Sequence, residues 1–192
     1  LVALPLAEDL VQYREAGRGV RLQWLDLEPA RAQALADALA QRARPENARY
    51  RYDYFTANCA TQVRDVLDQA LGGALKTQLA ARSRGNTYRS EAVRLARPAA
   101  WMWLGFDLGL GPYADRALSR WDEAFVPMRL ADSLREADNG DGRALVLAEE
   151  ELLPHRLAPE PTDRPRRVWP WLLAGLVAAA GVMAARRRPR LL

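Results

Sequence analysis

The chain is organised around residues 50–71, which read YRYDYFTANCATQVRDVLDQAL and contain the only cysteine of the sequence, Cys59. Aromatic and charged residues alternate from Tyr50 to Tyr54, and this period of two predicts a short extended segment packed on one side. After Cys59 the apolar residues follow helical spacing, at positions 63, 66, 67, 70 and 71, and two glycines then supply a C-terminal stop. The stretch therefore predicts an extended segment, a turn and an amphipathic helix, in that order.

The predicted helix places Cys59 in its first turn. Asn58 is a preferred N-cap residue and Thr61 is a polar neighbour. Unpaired backbone N–H groups and the positive end of the helix dipole favour a negative side chain at this position. A thiolate is the nucleophilic form of cysteine, so Cys59 is a candidate nucleophile. A lone cysteine can equally serve as a small apolar residue, and the residues alone leave both interpretations open.

This region resembles the N-terminal periplasmic domain of lipoprotein N-acyltransferase B (Lnb), a bacterial family with a cysteine-peptidase-like core. The resemblance rests on Y-x-Y-x-Y-F-x-x-N-C-A-T at residues 50–61, on WLGFDLGLG at 103–111, and on Asp115-Arg116, Trp121 and Phe125-Val126-Pro127. It implies an α+β fold with a papain-like cysteine-hydrolase or acyltransferase core, mostly helical in this chain. One C-terminal transmembrane helix is predicted separately, from the apolar run described below. The resemblance also implies that Cys59 accepts an acyl group, with four supporting residues: Asn58, Thr61, Tyr54 and Arg89.

The resemblance implies thiol-dependent acyl transfer, with lipoprotein or phospholipid acyl groups as the substrate class. The histidine of the family lies upstream of its cysteine, whereas this chain has no histidine before Cys59. We therefore expect that the start of the protein is missing, that it holds the histidine and an export signal, and that the chain as given is inactive. Two alternatives stay open, a cysteine amidase or peptidase-like hydrolase and a non-catalytic, membrane-tethered binding module.

The charge distribution argues against nucleic acid as a partner and for a membrane. The formal charge is +4, but residues 1–163 hold 21 basic and 24 acidic residues, a net charge of −3. The other seven arginines flank the last apolar run. One cysteine cannot form an internal disulfide or a cysteine-based zinc site, and the turn cluster at 138–142 lacks calcium-loop spacing. We expect no metal and no cofactor.

The sequence predicts four segments. Residues 1–148 form the Lnb-like domain, and residues 149–167 form an acidic, proline-rich linker that carries the only histidine, His155. Residues 168–185 are uncharged and predict a transmembrane helix, followed by a basic cytoplasmic tail at 186–192. The protein is thus expected in the inner membrane as a single-pass protein with its domain facing the periplasm. A flexible linker is a poor support for a catalytic imidazole, so His155 is expected to be solvated.

Further patterns predict the remaining elements. A half-buried strand begins at Val20, and Glu28-Pro29 opens a helix. Residues 99–110 predict a packed loop beside the cysteine, with aromatic residues that line either a groove or the core. Residues 118–135 predict a helix broken at Pro127. The arginines between 82 and 97 are expected to be solvated, with an anion site as the alternative.

Overall fold

The computed structural model describes residues 5–47, 49–157, 160–162 and 169–187, which fall into two compact units, Leu1–Pro161 and Thr162–Leu192. The first unit contains a small sheet and mainly helices, so the predicted mostly helical α+β class is confirmed, while the papain-like core stays a prediction. Its elements, in chain order, are α1 Leu6–Glu15, β1 Val20–Leu25, α2 Pro29–Ala43, α3 Cys59–Ala70, α4 Ala74–Ala80, α5 Tyr88–Ala96, α6 Ala100–Gly109, a 3-10 helix Pro112–Asp115, α7 Arg120–Glu123, α8 Pro127–Arg135 and β2 Val146–Leu153.

The sheet pairs β1 with β2 in antiparallel register, from Val20 opposite Leu153 to Leu25 opposite Val146. The predicted strand at Val20 is therefore confirmed. The linker predicted to begin at residue 149 needs a correction, because residues 149–153 belong to β2. The acidic residues of this stretch are held in the sheet by partners across it, as when Gln23 Nε2 donates to a carboxylate oxygen of Glu149.

Several helix boundaries follow local signals. Pro29 occupies the first position of α2, as predicted, because its missing N–H has no helical acceptor at that point. The helix α3 begins at Cys59 and ends before Gly72 and Gly73, whose φ angles of +64° and +87° are accessible to glycine at little cost. The predicted break at Pro127 is also confirmed, since this residue begins α8.

A leucine-rich core joins α3 to α4, α8 and the sheet. The apolar stripe of α3 contributes Leu67 and Leu71, which are almost completely buried. The other buried members of this core are Leu75, Leu79, Ala124, Leu130, Leu134, Ala137 and Leu145. Burial of each leucine side chain stabilises the fold by about 1.5–3 kcal/mol, so the position of α3 is fixed by its inner face.

A second, aromatic core lies beneath the segment that precedes Cys59. The ring of Phe55 lies 4.6 Å from that of Tyr88 and 5.4 Å from that of Phe125, measured between centroids. Tyr88 and Phe125 are buried, and their own rings are 5.5 Å apart. This cluster connects the cysteine-bearing segment to α5 and to the turn before α8.

Buried ion pairs fasten α5 to α8. The carboxylate of Glu91 accepts hydrogen bonds from Arg94 (2.7 Å) and Arg129 (2.9 Å), and all three side chains are buried. Burial alone raises the pKa of Glu91, but the bonds from the two guanidinium groups outweigh it and leave the pKa lowered. The three charges therefore stay ionised inside the domain.

Two arginines of the arginine-rich segment have carboxylate partners; the expectation of solvated cations holds for Arg82, which is exposed, but not for Arg84. Arg84 is bonded to the buried carboxylate of Glu123 at 2.7 Å, and Arg82 is bonded to Glu136, also at 2.7 Å. The acceptors lie 39 and 54 positions away in the sequence. Because the partners are so distant, the local charge pattern did not reveal these internal pairs.

Residues 99–110 form the helix α6 rather than the predicted loop. The segment contains two glycines, which suggested irregular structure, yet neither adopts a positive φ. None of the residues of α6 is buried. The predicted wall beside the cysteine is thus a helix with much of its apolar surface exposed.

The second unit contains the helix α9, Trp169–Arg187. Across the part of the chain that the structure describes, no helix combines the length and the apolar character needed to cross a membrane, so the predicted transmembrane helix at 168–185 is not found. Residues 163–168 and 188–192, which include part of the predicted linker and tail, lie outside the described residues.

Candidate active site

The start of α3 is closed by a reciprocal pair of hydrogen bonds. The Thr61 N–H donates to Oδ1 of Asn58 at 3.0 Å, and the Asn58 N–H donates to the hydroxyl oxygen of Thr61 at 2.9 Å. This capping box satisfies two of the backbone donors that a helix start leaves unpaired. The predicted N-cap role of Asn58 is confirmed, and Thr61 completes it.

The amide of Asn58 also ties the helix start to the aromatic core. Its Nδ2 donates to the carbonyl oxygen of Phe125 at 2.8 Å and to that of Tyr54 at 3.1 Å. The Asn58 side chain is thus a donor on one side and an acceptor on the other, within a buried setting. No local signal in the sequence indicated that the carbonyl of Phe125 anchors Asn58.

A tight turn at residues 53–57 precedes Asn58, so the predicted turn into α3 begins earlier than expected, at Asp53, within the predicted extended segment at 50–54. Asp53 and Ala57 exchange two backbone hydrogen bonds of 2.9 and 3.0 Å. Oδ1 of Asp53 accepts from the N–H groups of Phe55 and Thr56 and from the Thr56 hydroxyl. The hydrogen bond from the Thr56 N–H and, to a smaller extent, that from the Thr56 hydroxyl lower the pKa of Asp53. The alternating aromatic pattern at 50–54 did not reveal this, because the Asp53 carboxylate closes a turn that begins within the pattern.

Cys59 is the first residue of α3 and its side chain is exposed. The first intrahelical bond runs from Gln62 N–H to Asn58 O at 3.0 Å, so the N–H groups of Cys59 and Ala60 precede any helical acceptor. Tyr50 is a close electrostatic neighbour, since burial and then the charge of Cys59 raise the pKa of Tyr50. The structure therefore presents an accessible thiol in the first turn of α3, near the phenol of Tyr50.

The remaining sequence-predicted residues are placed differently. Tyr54 lies at the site, since its carbonyl accepts from Asn58. Arg89 is engaged with the end of α6 and the following turn: it donates to Leu110 O at 2.6 Å and is paired with Asp115, also at 2.6 Å. The supporting role of Arg89 at Cys59 therefore stays a prediction.

His155 lies just after β2 and contacts the turn that precedes β1. Its Nδ1 lies 3.3 Å from the Gly17 carbonyl oxygen, and the N–H of Arg156 donates to that same oxygen at 3.0 Å. Its ring is exposed beside the end of β2. Within the described ranges, no group of three or more histidine, cysteine, aspartate or glutamate side chains is placed to hold a metal ion.

The family model of the Lnb N-terminal periplasmic domain matches residues 2–94. Residues 2–94 belong to the Lnb N-terminal periplasmic domain family. The matched Lnb segment contains the Asp53 turn, the capping box and Cys59, so the family predicted from residues 50–61 together with the motifs at 103–127 is confirmed over residues 2–94. No curated protein and no solved structure matches the chain.

Proposed function

We propose that this Lnb-family domain performs thiol-dependent acyl transfer, with Cys59 as the nucleophile. The observation that carries the proposal is the exposed thiol at the first position of α3, held by the capping box of Asn58 and Thr61. A side chain on a rigid helix start is positioned more precisely than one on a loop.

The proposed reaction has two stages. The Cys59 thiolate attacks the carbonyl carbon of an ester or amide, a bond from sulfur to carbon forms, and the alcohol or amine leaves with a proton. The N–H groups of Cys59 and Ala60 could donate to the oxyanion that develops. An amine acceptor then takes the acyl group and releases the thiolate, whereas water in its place makes the domain a hydrolase.

The substrate class and the base extend the proposal. Lipoprotein or phospholipid acyl groups are proposed from the family membership of residues 2–94. The thiol proton needs an acceptor within about 2.6–3.2 Å, directly or through one water. His155 is bonded to Gly17 instead, so we propose that the base is a histidine outside residues 1–192. Single-pass attachment to the inner membrane stays a prediction, which fractionation of the natural gene product would test.

Intact-mass measurement of the acyl-enzyme tests the proposal. Residues 1–192 and the natural full-length gene product are each incubated with a phospholipid and with an activated ester. We expect an acyl adduct on the full-length protein that disappears in Cys59→Ser and persists in Thr87→Ala, which alters a matched capping box at the start of α5.

Three results would contradict the proposal. An adduct of equal yield on the Cys59→Ser variant would exclude this thiol as the nucleophile. An adduct on residues 1–192 that is retained after His155→Ala would refute the external base. A full-length protein that binds phospholipid without forming any adduct would favour the binding module.

A further inference from the structure

The helix α6 is apolar on every side and yet lies at the surface. Its sequence, AWMWLGFDLG, contains one charged residue, Asp107. Trp101 is 75% exposed and Leu108 is 77% exposed, and Met102 and Leu104 are also exposed. A helix without a polar face is normally covered, either by a protein core or by lipid. This exposed surface therefore requires an explanation.

Ring contacts link Tyr113, which follows α6, to Tyr54 in the turn before Cys59. Tyr113 follows α6, is 56% exposed and stacks on Tyr88 with ring centroids 5.7 Å apart. Tyr88 contacts Phe55, whose ring lies 5.0 Å from that of the exposed Tyr54. Tryptophan and tyrosine combine an apolar ring with a polar tip, the combination enriched where a membrane meets water.

A cation lies at the edge of the same surface. The guanidinium carbon of Arg116 is 5.2 Å from the centre of the Tyr113 ring, and this side chain is exposed. The nearest carboxylate in the sequence, Asp115, is already paired with Arg89 at 2.6 Å. An exposed arginine beside aromatic residues suits the phosphates of lipid headgroups.

We propose that α6, Tyr113 and Arg116 dock on a phospholipid surface, with Trp101 and Leu108 below the headgroups. The exposed apolar side chains of α6 offer no directional hydrogen bonds, which a lipid surface does not require, whereas a protein partner is normally met with a rim of polar contacts. The inference goes beyond acyl transfer, because it concerns a surface and not the chemistry of Cys59.

A site-specific fluorescent label tests the docking in the full chain. Cys59→Ser removes the only cysteine, and Leu108→Cys then accepts an environment-sensitive dye. The matched control is Leu147→Cys, at a position that is 66% exposed on β2. On vesicles of phosphatidylethanolamine and phosphatidylglycerol, we expect a blue shift and quenching by nitroxide-labelled lipid at position 108 but not at 147. Because the readout is local, vesicle binding through α9 alone does not reproduce it.

Two further substitutions measure how much Trp101 and Arg116 contribute to vesicle binding. Trp101→Ser should weaken partitioning at least about tenfold, while Trp24→Ser, at an exposed position of β1, should not. Arg116→Ala should weaken it about fivefold on the anionic vesicles only, and Arg21→Ala should have little effect.

Equal responses at positions 108 and 147 would overturn the proposal. A blue shift at 108 that rises with protein concentration in the absence of vesicles would also overturn it, because a second copy would then be the occupant of this surface. Since all labelled variants lack the Cys59 thiol, their response to vesicles is independent of whether Cys59 forms an acyl-enzyme.

Discussion

The helices α3 and α6 have similar lengths, 12 and 10 residues, but are held in opposite ways. The start of α3 is closed by a capping box, and its inner face buries Val66 and Leu67. The start of α6 has no side-chain cap and none of its residues is buried. The core therefore fixes α3, which suits a helix that supports a reactive side chain, whereas α6 remains a surface helix.

The end of α6 depends on one residue of a neighbouring helix. Arg89, from α5, donates to the carbonyl oxygens of Phe106, Asp107 and Leu110. The Asp107 carbonyl is one of the groups that a helix end leaves without an intrahelical donor, whereas the Phe106 carbonyl also accepts from the Leu110 N–H. Arg89 thus does for the end of α6 what Asn58 does for the start of α3, but with a charged group near the surface.

The largest expected difference between the two helices concerns their leucines. Leu67→Ala removes a buried side chain of α3 and should lower the free energy of unfolding by about 3 kcal/mol. Leu108→Ala, in α6, should change it by less than about 0.5 kcal/mol. Urea unfolding followed by circular dichroism measures both values. Equal losses would mean that α6 is packed as tightly as α3, and the contrast would be wrong.

A smaller effect is expected at the helix starts. Asn58→Ala removes a cap and leaves the Phe125 carbonyl without its donor, so unfolding should become easier by about 2–3 kcal/mol. Thr87→Ala, in the capping box of α5, should cost about 1 kcal/mol. The same urea experiment compares the two variants. A cost for Asn58→Ala no larger than that for Thr87→Ala would show that the bond to Phe125 contributes nothing.

The sequence predicted those parts of the site that local signals determine. The N-cap at Asn58, the start of α3 at Cys59 and the proline at the start of α8 each depend on neighbours within a few positions. The same holds for β1, whose alternating residues were sufficient.

The features that the sequence did not predict depend on distant partners or on one side chain. The predicted turn before Cys59 begins earlier than expected, because the Asp53 carboxylate accepts three hydrogen bonds and so ends the extended segment at this residue. The helix α6 was predicted as a loop because its glycines suggested irregular backbone, whereas its end is secured by Arg89 from α5. Propensity alone does not contain such tertiary contacts.

The smallest expected effect is on two carboxylates, one in each region. Hydrogen bonding to Arg89 lowers the pKa of Asp115, and hydrogen bonds within its own turn lower the pKa of Asp53. Arg89→Gln should return the Asp115 pKa towards its ordinary 3.8 and leave that of Asp53 lowered. A lowered pKa stabilises the folded state above the ordinary value, and this contribution is lost as the pH falls through the lowered one. Side-chain NMR titration follows both groups, and a shift of Asp53 in this variant would show that the two regions are coupled.

The hydrogen bond from Asn58 to Phe125 spans 67 positions, and the pair of Glu91 with Arg129 spans 38. The segment that carries the family signature ends at residue 94, before either distant partner. The start of α3 therefore acquires this anchor only once residue 125 has been joined to it. Contacts between distant positions slow folding because a long loop must close first. Residues 2–94 by themselves lack both the Phe125 carbonyl and the Arg129 guanidinium, so the matched segment is not a self-sufficient support for the thiol.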